Sequence, residues 1–345
     1  MPALELPSWS ASRGDAERVL ESIDAWSGSL ALAAVVAVFQ HSVPELAGED
    51  RLKWLDGFAA AHWDFRQGRE RDAISQSGLT SRQTDSVFAQ APDLGLAGPE
   101  RPTRRRYDTV MMTGGMLRAG IVKPRFVAEL LENGLECDHI VFLGGFRPFS
   151  PEEASLARAL GVHADDEFGA MLFGLEQTFG PLGKPEVSGG AGDTPHSSWR
   201  QLSWHRENLL RLSVLAAPSS DPVHRRANSA DTYRFWASER RSAAELSVLQ
   251  VTTPIYVPYQ SAVAVGILGL DHGLAVETVG TSAAAGDLGE FSQQFLAEHH
   301  LQELRAAIGA MLALRHRLGG QREVRSSRAG AIVPNQGLTT GCSDV

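Results

Sequence analysis

The chain has 345 residues, of which 43% are apolar and 21% are charged, and its formal net charge is −9. An acidic chain of this kind is not expected to bind nucleic acid or an anionic membrane surface. Its two cysteines cannot form a disulfide framework or a cysteine-rich metal site. The sequence does not open with a basic start followed by an apolar run, so we predict a cytoplasmic protein.

The first hundred residues have apolar side chains at helical spacing. Val19, Ile23 and Trp26 mark one helix, and residues 30–39 form an apolar run that suits a buried helix but is too short to cross a bilayer. We therefore predict a helical N-terminal subdomain over residues 1–100, with residues 1–14 as an untethered leader.

Two charged or irregular stretches follow these helices. Residues 66–72 are rich in charge and indicate either a solvated helix face or basic groups directed at a pocket. Residues 91–106 are rich in Pro, Gly and Arg, which predicts a linker into the next domain.

Two short apolar runs, residues 107–115 and 138–145, each end in a glycine pair. Residues 124–131 between them predict a short helix with Pro124 in its first turn. A strand, a helix and a strand in this order form a parallel βαβ unit, and ligands bind beyond the carboxyl ends of such strands. The glycines could be tight turns alone. Two pairs at equivalent strand ends favour a pocket floor whose amides a ligand can approach.

Acidic residues follow the second run. Ser150, Pro151 and Glu153 have the pattern of a capping box, so Glu153 either caps a helix or faces the ligand site. Residues 165–179 predict another helix, whose first carboxylates complement the helix dipole or, alternatively, bind a divalent metal. Residues 181–198 are rich in Gly, Pro and Ser and predict a mobile loop that could act as a lid.

Three further apolar runs predict strands: residues 209–217, 246–253 and 274–279. The fold class is therefore α/β, with a Rossmann-like, doubly wound, mostly parallel five-stranded sheet in a domain over residues 101–318. An amphipathic helix is predicted within residues 290–318. The Ser, Gly, Arg and Asn content of residues 319–345 predicts a disordered tail.

Three segments are similar to the YdcF/SanA-like family, a domain of unknown function with a Rossmann-like sheet: residues 108–118, 140–154 and 220–265. In the last, Arg226-Ala-Asn-Ser-Ala-Asp231 resembles the family's Asn-Thr-x-Glu-Asn helix start, and residues 251–259 resemble its Val-Thr-Ser strand end. Because a YdcF-like protein is thought to bind S-adenosylmethionine, the resemblance implies a ligand of that type. Tyr256 and Tyr259 stand where the family has His and Arg, so the resemblance does not carry over the chemistry of that pair.

Zinc-ligand spacing, a Walker loop, a nucleophile elbow and a full dinucleotide fingerprint are absent from the sequence. The candidates are instead polar residues near the predicted strand ends, which would form a site only on folding. Glu153 and Asp221 are the catalytic candidates, as acid or base. The ligand-binding candidates are Thr113, Gly114, Gly115, Arg118, Gly144, Gly145, Arg147, Ser219, Arg226, Asn228, Asp231, Thr252, Thr253 and Tyr256.

Such residues suit a polar metabolite with a phosphate, carboxylate or adenosine moiety. We predict a small-molecule enzyme, a transferase or hydrolase, that binds a nucleotide-like, S-adenosylmethionine-like or phosphorylated metabolite, with Arg147 or Arg226 on its anionic part. The alternative is a non-catalytic sensor or regulatory protein that uses the same pocket, and a structural scaffold is a third interpretation. We predict S-adenosylmethionine or a nucleotide as cofactor and no metal, and the sequence allows a homo-oligomer.

Overall fold

The computed structural model describes residues 4–66, 74, 78–206 and 210–330, so most of the charged stretch 66–72 lies outside the described residues. The helices are α1 (Asp15–Ser27), α2 (Leu30–Ala37), α3 (Gly48–His62), α4 (Ser81–Gln90), α5 (Leu117–Glu132), α6 (Pro151–Ala159), α7 (Glu167–Phe179), α8 (Ser229–Phe235), α9 (Val257–Ala264), α10 (Ala283–Gly286) and α11 (Ala297–Gly330). The strands are β1 (Arg106–Thr113), β2 (Glu136–Gly144), β3 (Glu186–Gly190), β4 (Trp199–His205), β5 (Arg211–Ala216), β6 (Ser247–Thr252) and β7 (Ala275–Gly280).

Within the described chain these seven strands form one mixed sheet in the order β3-β4-β5-β2-β1-β6-β7. The strands β5, β2, β1, β6 and β7 pair in parallel, and they correspond to the five predicted strands. The strands β3 and β4 pair antiparallel at one edge. The prediction of five strands is therefore wrong in number. The fold is α/β with a seven-stranded, mostly parallel sheet.

The β3–β4 hairpin occupies part of the stretch predicted to be a mobile loop. Strand β3 is an exposed edge strand of sequence Glu-Val-Ser-Gly-Gly, and Gly and Ser have low strand propensity. Pairing with β4 supplies the hydrogen bonds that this composition does not predict. The residues between the two strands, 191–198, form the hairpin tip.

Helices cover both faces of the sheet. Val110 and Met112 of β1 point to the face covered by α5 and α7, whereas Met111 points to the face covered by α8 and α9. Because both faces are buried, the parallel strands appear in the sequence as continuous apolar runs.

The helices α1 to α4 pack with α9 and α11 in a separate apolar cluster that includes Ile23, Trp26, Leu304 and Ile308. Among the described residues, the stretch Asp15–Ala37, which comprises α1 and α2, is long and apolar enough to cross a membrane. A core helix of a soluble protein or a signal sequence meets the same criterion of length and composition.

Residues from Trp9 onward contact the sheet, and helix α11 extends beyond residue 318. Trp9 exchanges two backbone hydrogen bonds with Val276 of β7, at 2.9 and 2.6 Å, so the leader is tethered from this residue on. Its indole also packs on Gly269, where a Cβ atom would come 2.7 Å from the ring. The helix α11 continues to Gly330, past the predicted start of the tail at residue 319, and residues 331–345 lie outside the described residues.

The helices α5 and α7 cross with their backbones in contact. A Cβ atom at Gly174 of α7 would lie 1.7 Å from the carbonyl oxygen of Gly120 in α5. Pro124, predicted in the first turn of a shorter helix, lies inside α5, where it cannot donate a hydrogen bond to that carbonyl. The close crossing holds the amino end of α7, and with it Glu167, against the carboxyl ends of β1 and β2.

Candidate functional site

The polar strand ends meet at one edge of the sheet. The hydroxyl oxygens of Thr113 at the end of β1 and Thr252 at the end of β6 lie 3.1 Å apart. On the other side of β1, Ala217 N donates to Gly144 O at 2.9 Å. Parallel pairing in register therefore brings the ends of these strands together.

The two glycine pairs enclose a carboxylate of the protein itself. Gly115 N donates to Glu167 Oε1 at 2.6 Å, and Gly145 N donates to Glu167 Oε2 at 3.0 Å. A Cβ atom at Gly114 would lie 2.8 Å from Glu167 Oε1, and one at Gly144 would lie 3.2 Å from Oε2. Glycine is therefore required because Glu167 approaches so closely. The amides predicted to line a ligand floor are bonded to this side chain.

Glu167 is 6% exposed. Burial raises its pKa, while the positive charges of Arg147 and Arg226 and the two glycine amides act in the opposite direction. A buried carboxyl with a raised pKa at the end of a parallel sheet is a candidate proton donor or acceptor.

Glu153 fills the capping role that the sequence allows. Ser150 N donates to its Oε2 at 3.3 Å, and Leu117 N donates to its Oε1 at 3.1 Å. The guanidinium of Arg147 binds both carboxylate oxygens, at 2.6 and 2.7 Å. Burial alone would raise the pKa of Glu153, but these hydrogen bonds hold it below its usual value. Both carboxylate oxygens accept hydrogen bonds from Arg147 and from backbone amides. Glu153 is therefore poorly suited to act as a base.

A small cleft, partly open to solvent, lies beside this cluster. Its wall comprises the loop after β2, the hairpin tip, the end of β5 and the loop before α8. The lining residues are Gly145, Phe146, Arg147, Glu167, Pro195, His196, Ala217, Arg226 and Ala227. Ser219 lies close by, because Ser219 N donates to the carbonyl of His196 at 2.7 Å. The cleft therefore combines two guanidinium groups, one imidazole and one buried carboxyl.

A buried lysine lies beneath the end of β1. Lys123 is 1% exposed, and its Nζ donates to Thr113 O at 2.6 Å, to Thr113 Oγ1 at 2.8 Å and to Gly114 O at 3.2 Å. These bonds hold the backbone carbonyls where the chain leaves β1 for the glycine pair. Lys123 thus fixes the shape of the loop that presents Gly115 N to Glu167.

Several predicted site residues hold local structure. Asp221 is half exposed and pairs with the exposed His224 at 2.8 Å, outside the lining of the cleft. The side chain of Asn228 accepts from Asp231 N at 3.0 Å and caps α8, and the carboxylate of Asp231 bonds back to Asn228 N and pairs with Arg225. Asp221 is therefore engaged with His224 and is not among the residues that line the cleft.

Three further predicted site residues, Arg118, Thr253 and Tyr256, lie on the far side of β1. Arg118 donates to the carbonyl of Phe291 at 2.6 Å and to Gln293 Oε1 at 3.1 Å, so it ties α5 to the segment before α11. The ring of Tyr256 packs against Phe295 at a centroid distance of 6.2 Å. Thr253 O accepts from Tyr256 N at 2.9 Å in the turn that follows β6. None of them lines the cleft.

The residues that sequence reasoning missed are Glu167, His196 and Lys123. The sequence places Glu167 among carboxylates at a helix start, where the helix dipole is a sufficient explanation. His196 lies in a stretch whose composition predicts only a loop, and Lys123 precedes a proline within an apolar helix. No local pattern distinguishes them, because their positions depend on the α5–α7 crossing and on the β3–β4 hairpin.

A second buried polar cluster lies in the amino-terminal half of the parallel strands. His139 of β2 is hydrogen-bonded to Glu245 Oε1 through Nδ1 at 2.6 Å and to Ser213 Oγ through Nε2 at 3.0 Å. Arg211 and Thr109 also donate to Glu245, at 2.8 and 2.9 Å. Burial lowers the pKa of His139, and the hydrogen bond to Glu245 opposes that effect. Burial alone would raise the pKa of Glu245, but the bonds from His139 and its other donors lower it to about 2.

This cluster predicts a loss of stability at mildly acidic pH. Below pH 6.5 the unfolded chain binds a proton at His139 that the folded chain resists, so the free energy of unfolding falls by up to about 1.4 kcal/mol per pH unit from this residue. The change His139→Asn should remove that part of the slope between pH 6.5 and 5, as measured by urea denaturation. An unchanged slope would contradict the prediction, and His163→Asn at an exposed position is the control.

The geometry defines an α/β protein with a cleft of basic and acidic groups at the carboxyl ends of its parallel strands. The family model described as the Rv3785 N-terminal domain matches residues 10–95. Rv3785 of Mycobacterium tuberculosis (strain ATCC 25618 / H37Rv) and Mb3814 of Mycobacterium bovis are each 31% identical to this chain over 337 residues, covering 90% of this chain and 93% of the relative. The chain belongs to the Rv3785 family. No solved structure matches it.

The resemblance to the YdcF/SanA-like family is wrong. The matching family model and the relatives belong to Rv3785, and nothing in the comparisons points to that other family. The resemblance depends on short glycine-containing and threonine-containing strand ends, and such short patterns recur in unrelated proteins of this fold class. The family model covers α1 to α4, a region that the resemblance leaves out.

Proposed function

We propose that this protein is a small-molecule enzyme that binds a phosphorylated, nucleotide-like or S-adenosylmethionine-like metabolite in the cleft. The observation that carries the proposal is the joint presence of Arg147, Arg226, His196 and Glu167 in one opening. Arginine binds phosphate and carboxylate groups through paired N–H donors, and a buried carboxyl with a raised pKa suits proton transfer. The reaction class remains transferase or hydrolase, in the cytoplasm.

The strand order supports a ligand site at the carboxyl-end edge of the sheet. We infer that the five parallel strands form a Rossmann-like unit, because their order, β5-β2-β1-β6-β7, runs outward in both directions from β1. Ligands of such sheets bind where the strand order reverses, beyond the carboxyl ends. That point lies between β1 and β6, whereas the cleft lies at the same edge beside β2 and β5, where Gly145 and Glu167 line it.

The second candidate function is a non-catalytic sensor. The positions of the two predicted catalytic residues favour the sensor. Glu153 forms an ion pair with Arg147, and Asp221 lies outside the cleft. We place it second because His196 and Glu167 line the cleft and can carry protons. Turnover of a bound metabolite that His196→Gln abolishes, with binding retained, supports the enzyme. Binding without turnover by the unmodified protein supports the sensor.

Thermal-shift screening of the full chain tests the proposal. Nucleotides, S-adenosylmethionine, sugar phosphates and divalent metals form the panel, because a ligand that binds only the folded state raises the melting temperature. Native mass spectrometry of the same samples gives the stoichiometry and the oligomeric state. A panel without any stabilising compound would contradict the proposal.

Arg226 provides a specific prediction. Loss of a charged hydrogen bond to an anionic ligand weakens binding by about 1.5 kcal/mol or more, so Arg226→Gln should raise the dissociation constant of a metabolite hit about tenfold or more. Isothermal titration calorimetry measures the change. The control is Arg234→Gln, at an exposed position of α8 outside the cleft. Equal affinities for both variants would place the anion elsewhere.

A further inference from the structure

The carboxylate of Glu167 lies where backbone amides from two separate loops converge. Its Oε1 accepts from Gly115 N after β1, at 2.6 Å, and its Oε2 accepts from Gly145 N after β2, at 3.0 Å. Converging backbone N–H groups of this kind make a concave anion-binding surface. The side chain of Glu167 thus occupies a position that is built for an oxyanion.

We infer that the amides of Gly115 and Gly145, with Arg147 and Arg226 beside them, form an oxyanion site that Glu167 occupies in the free protein and that a ligand carboxylate or phosphate takes over. This inference rests on the proposed function, because it specifies which chemical group of the metabolite enters the cleft. Glu167 then acts as an internal competitor that keeps the site filled until a ligand arrives.

The charges around Glu167 permit such an exchange. Arg147 and Arg226 face it from the loops after β2 and before α8, Glu153 of α6 neutralises Arg147, and His196 lines the same cleft from the hairpin tip. Below the end of β1, the ammonium of Lys123 is bonded to the Thr113 and Gly114 carbonyls. Two carboxylates therefore stand against two guanidinium groups. A ligand oxyanion keeps that balance when the displaced carboxylate of Glu167 turns to solvent or takes up a proton.

The glycines define the size of the site. Gly114 and Gly144 approach so closely that a Cβ atom at Gly114 would lie 2.9 Å from the Cα atom of Gly144. A Cβ atom at either position would also approach a carboxylate oxygen of Glu167, at 2.8 or 3.2 Å. Two oxygens of a carboxylate or phosphate can take the positions of Glu167 Oε1 and Oε2 between the amides, and N–H donors of this kind disfavour a cationic group. Burial, which raises the pKa of Glu167, eases its release as pH falls, since a protonated carboxyl is a weaker acceptor.

The test is chemical rescue of Glu167→Ala in the full chain. The variant leaves two amides without their acceptor, so it should melt below the unmodified protein in sodium chloride. At equal ionic strength, sodium acetate or sodium phosphate should raise its melting temperature in a saturable way, by about 3 °C or more, with little effect on the unmodified protein. Rescue by acetate alone identifies a carboxylate site, and rescue by phosphate alone or by both identifies a site that accepts phosphate.

Glu152→Ala is the matched control, because Glu152 occupies the first turn of α6 and is exposed. Equal responses of the two variants to acetate and phosphate would overturn the inference, as would no response beyond that to chloride. Should Glu167→Ala not fold, Glu167→Gln leaves one amide without an acceptor. This variant should bind phosphate at least tenfold more tightly than the unmodified protein, and equal affinity would overturn the inference.

The outcomes separate this inference from the proposed function. Rescue of Glu167→Ala with no metabolite bound to the unmodified protein supports the oxyanion site and contradicts the enzyme. Metabolite binding that depends on Arg226, without any rescue, contradicts the oxyanion site and supports the enzyme.

Discussion

Replacement of Gly174 by alanine should cost about 3 kcal/mol of unfolding free energy, at the upper end of what overpacking a core costs. A Cβ atom at this position would lie 1.7 Å from the carbonyl oxygen of Gly120, and a backbone oxygen cannot move aside as a flexible side chain can. The helices α5 and α7 must separate to accommodate it. Chemical denaturation followed by circular dichroism measures the change.

The matched control is Gly57→Ala in α3. Gly57 is also a helical glycine, but a Cβ atom there meets no other atom within 4 Å. Alanine has the higher helix propensity, so this variant should be neutral or more stable by up to about 1 kcal/mol. Similar destabilisation of both variants would show that helix propensity, and not the close crossing, controls the result.

Separation of α5 and α7 should also disturb the site. Glu167 is the first residue of α7, and its two hydrogen bonds join that helix to the glycine pairs. We therefore expect Gly174→Ala to weaken binding of any cleft ligand, although Gly174 does not line the cleft.

The change Glu153→Gln should cost about 3 kcal/mol of unfolding free energy. Glu153 is 3% exposed and holds the guanidinium of Arg147 with both oxygens, and removal of one charge from a buried pair leaves the other uncompensated. It also weakens the cap of α6 and the bond from Leu117 N. Urea denaturation at pH 7 measures the loss.

The pH dependence of the unfolding free energy provides a second test of the ion pair between Glu153 and Arg147. Because the folded protein holds the pKa of Glu153 below its usual value, its contribution to stability is present above about pH 4.5 and is lost as the pH falls through the lowered pKa. The difference between the unmodified protein and Glu153→Gln should therefore shrink below pH 4.5. Glu152→Gln, at the exposed neighbour, should behave as the unmodified protein does at every pH. A difference that is constant with pH would exclude the ion pair as its source.

Local patterns predicted those elements whose signals lie within a few residues of one another. The capping pattern of Ser150, Pro151 and Glu153 gave the start of α6. Continuous apolar runs identified all five parallel strands, because strands buried on both faces need no polar alternation. Strand β3 was not predicted, because an exposed edge strand that contains Ser and Gly has neither a capping pattern nor a continuous apolar run.

The candidate site was predicted only in part. Parallel strands in register bring their carboxyl ends to one edge whatever the intervening sequence, so Thr113, Gly144 and Thr252 were placed at the same edge. The sequence did not show which side chains face the cleft. Asp221 points to His224, and Glu153 is held by Arg147, because the nearest partner in the fold engages each of them.

The sequence by itself determined the class of fold, the five parallel strands, and the edge of the sheet where polar residues collect, because strands buried on both faces appear as apolar runs and parallel strands end at one edge. Only the tertiary structure decided that Glu167 fills the space between the glycine pairs and that His196 reaches the cleft. Both depend on contacts between residues distant in sequence: the crossing at Gly120 and Gly174, and the β3–β4 hairpin. Close packing between distant segments leaves no periodic signal in the sequence.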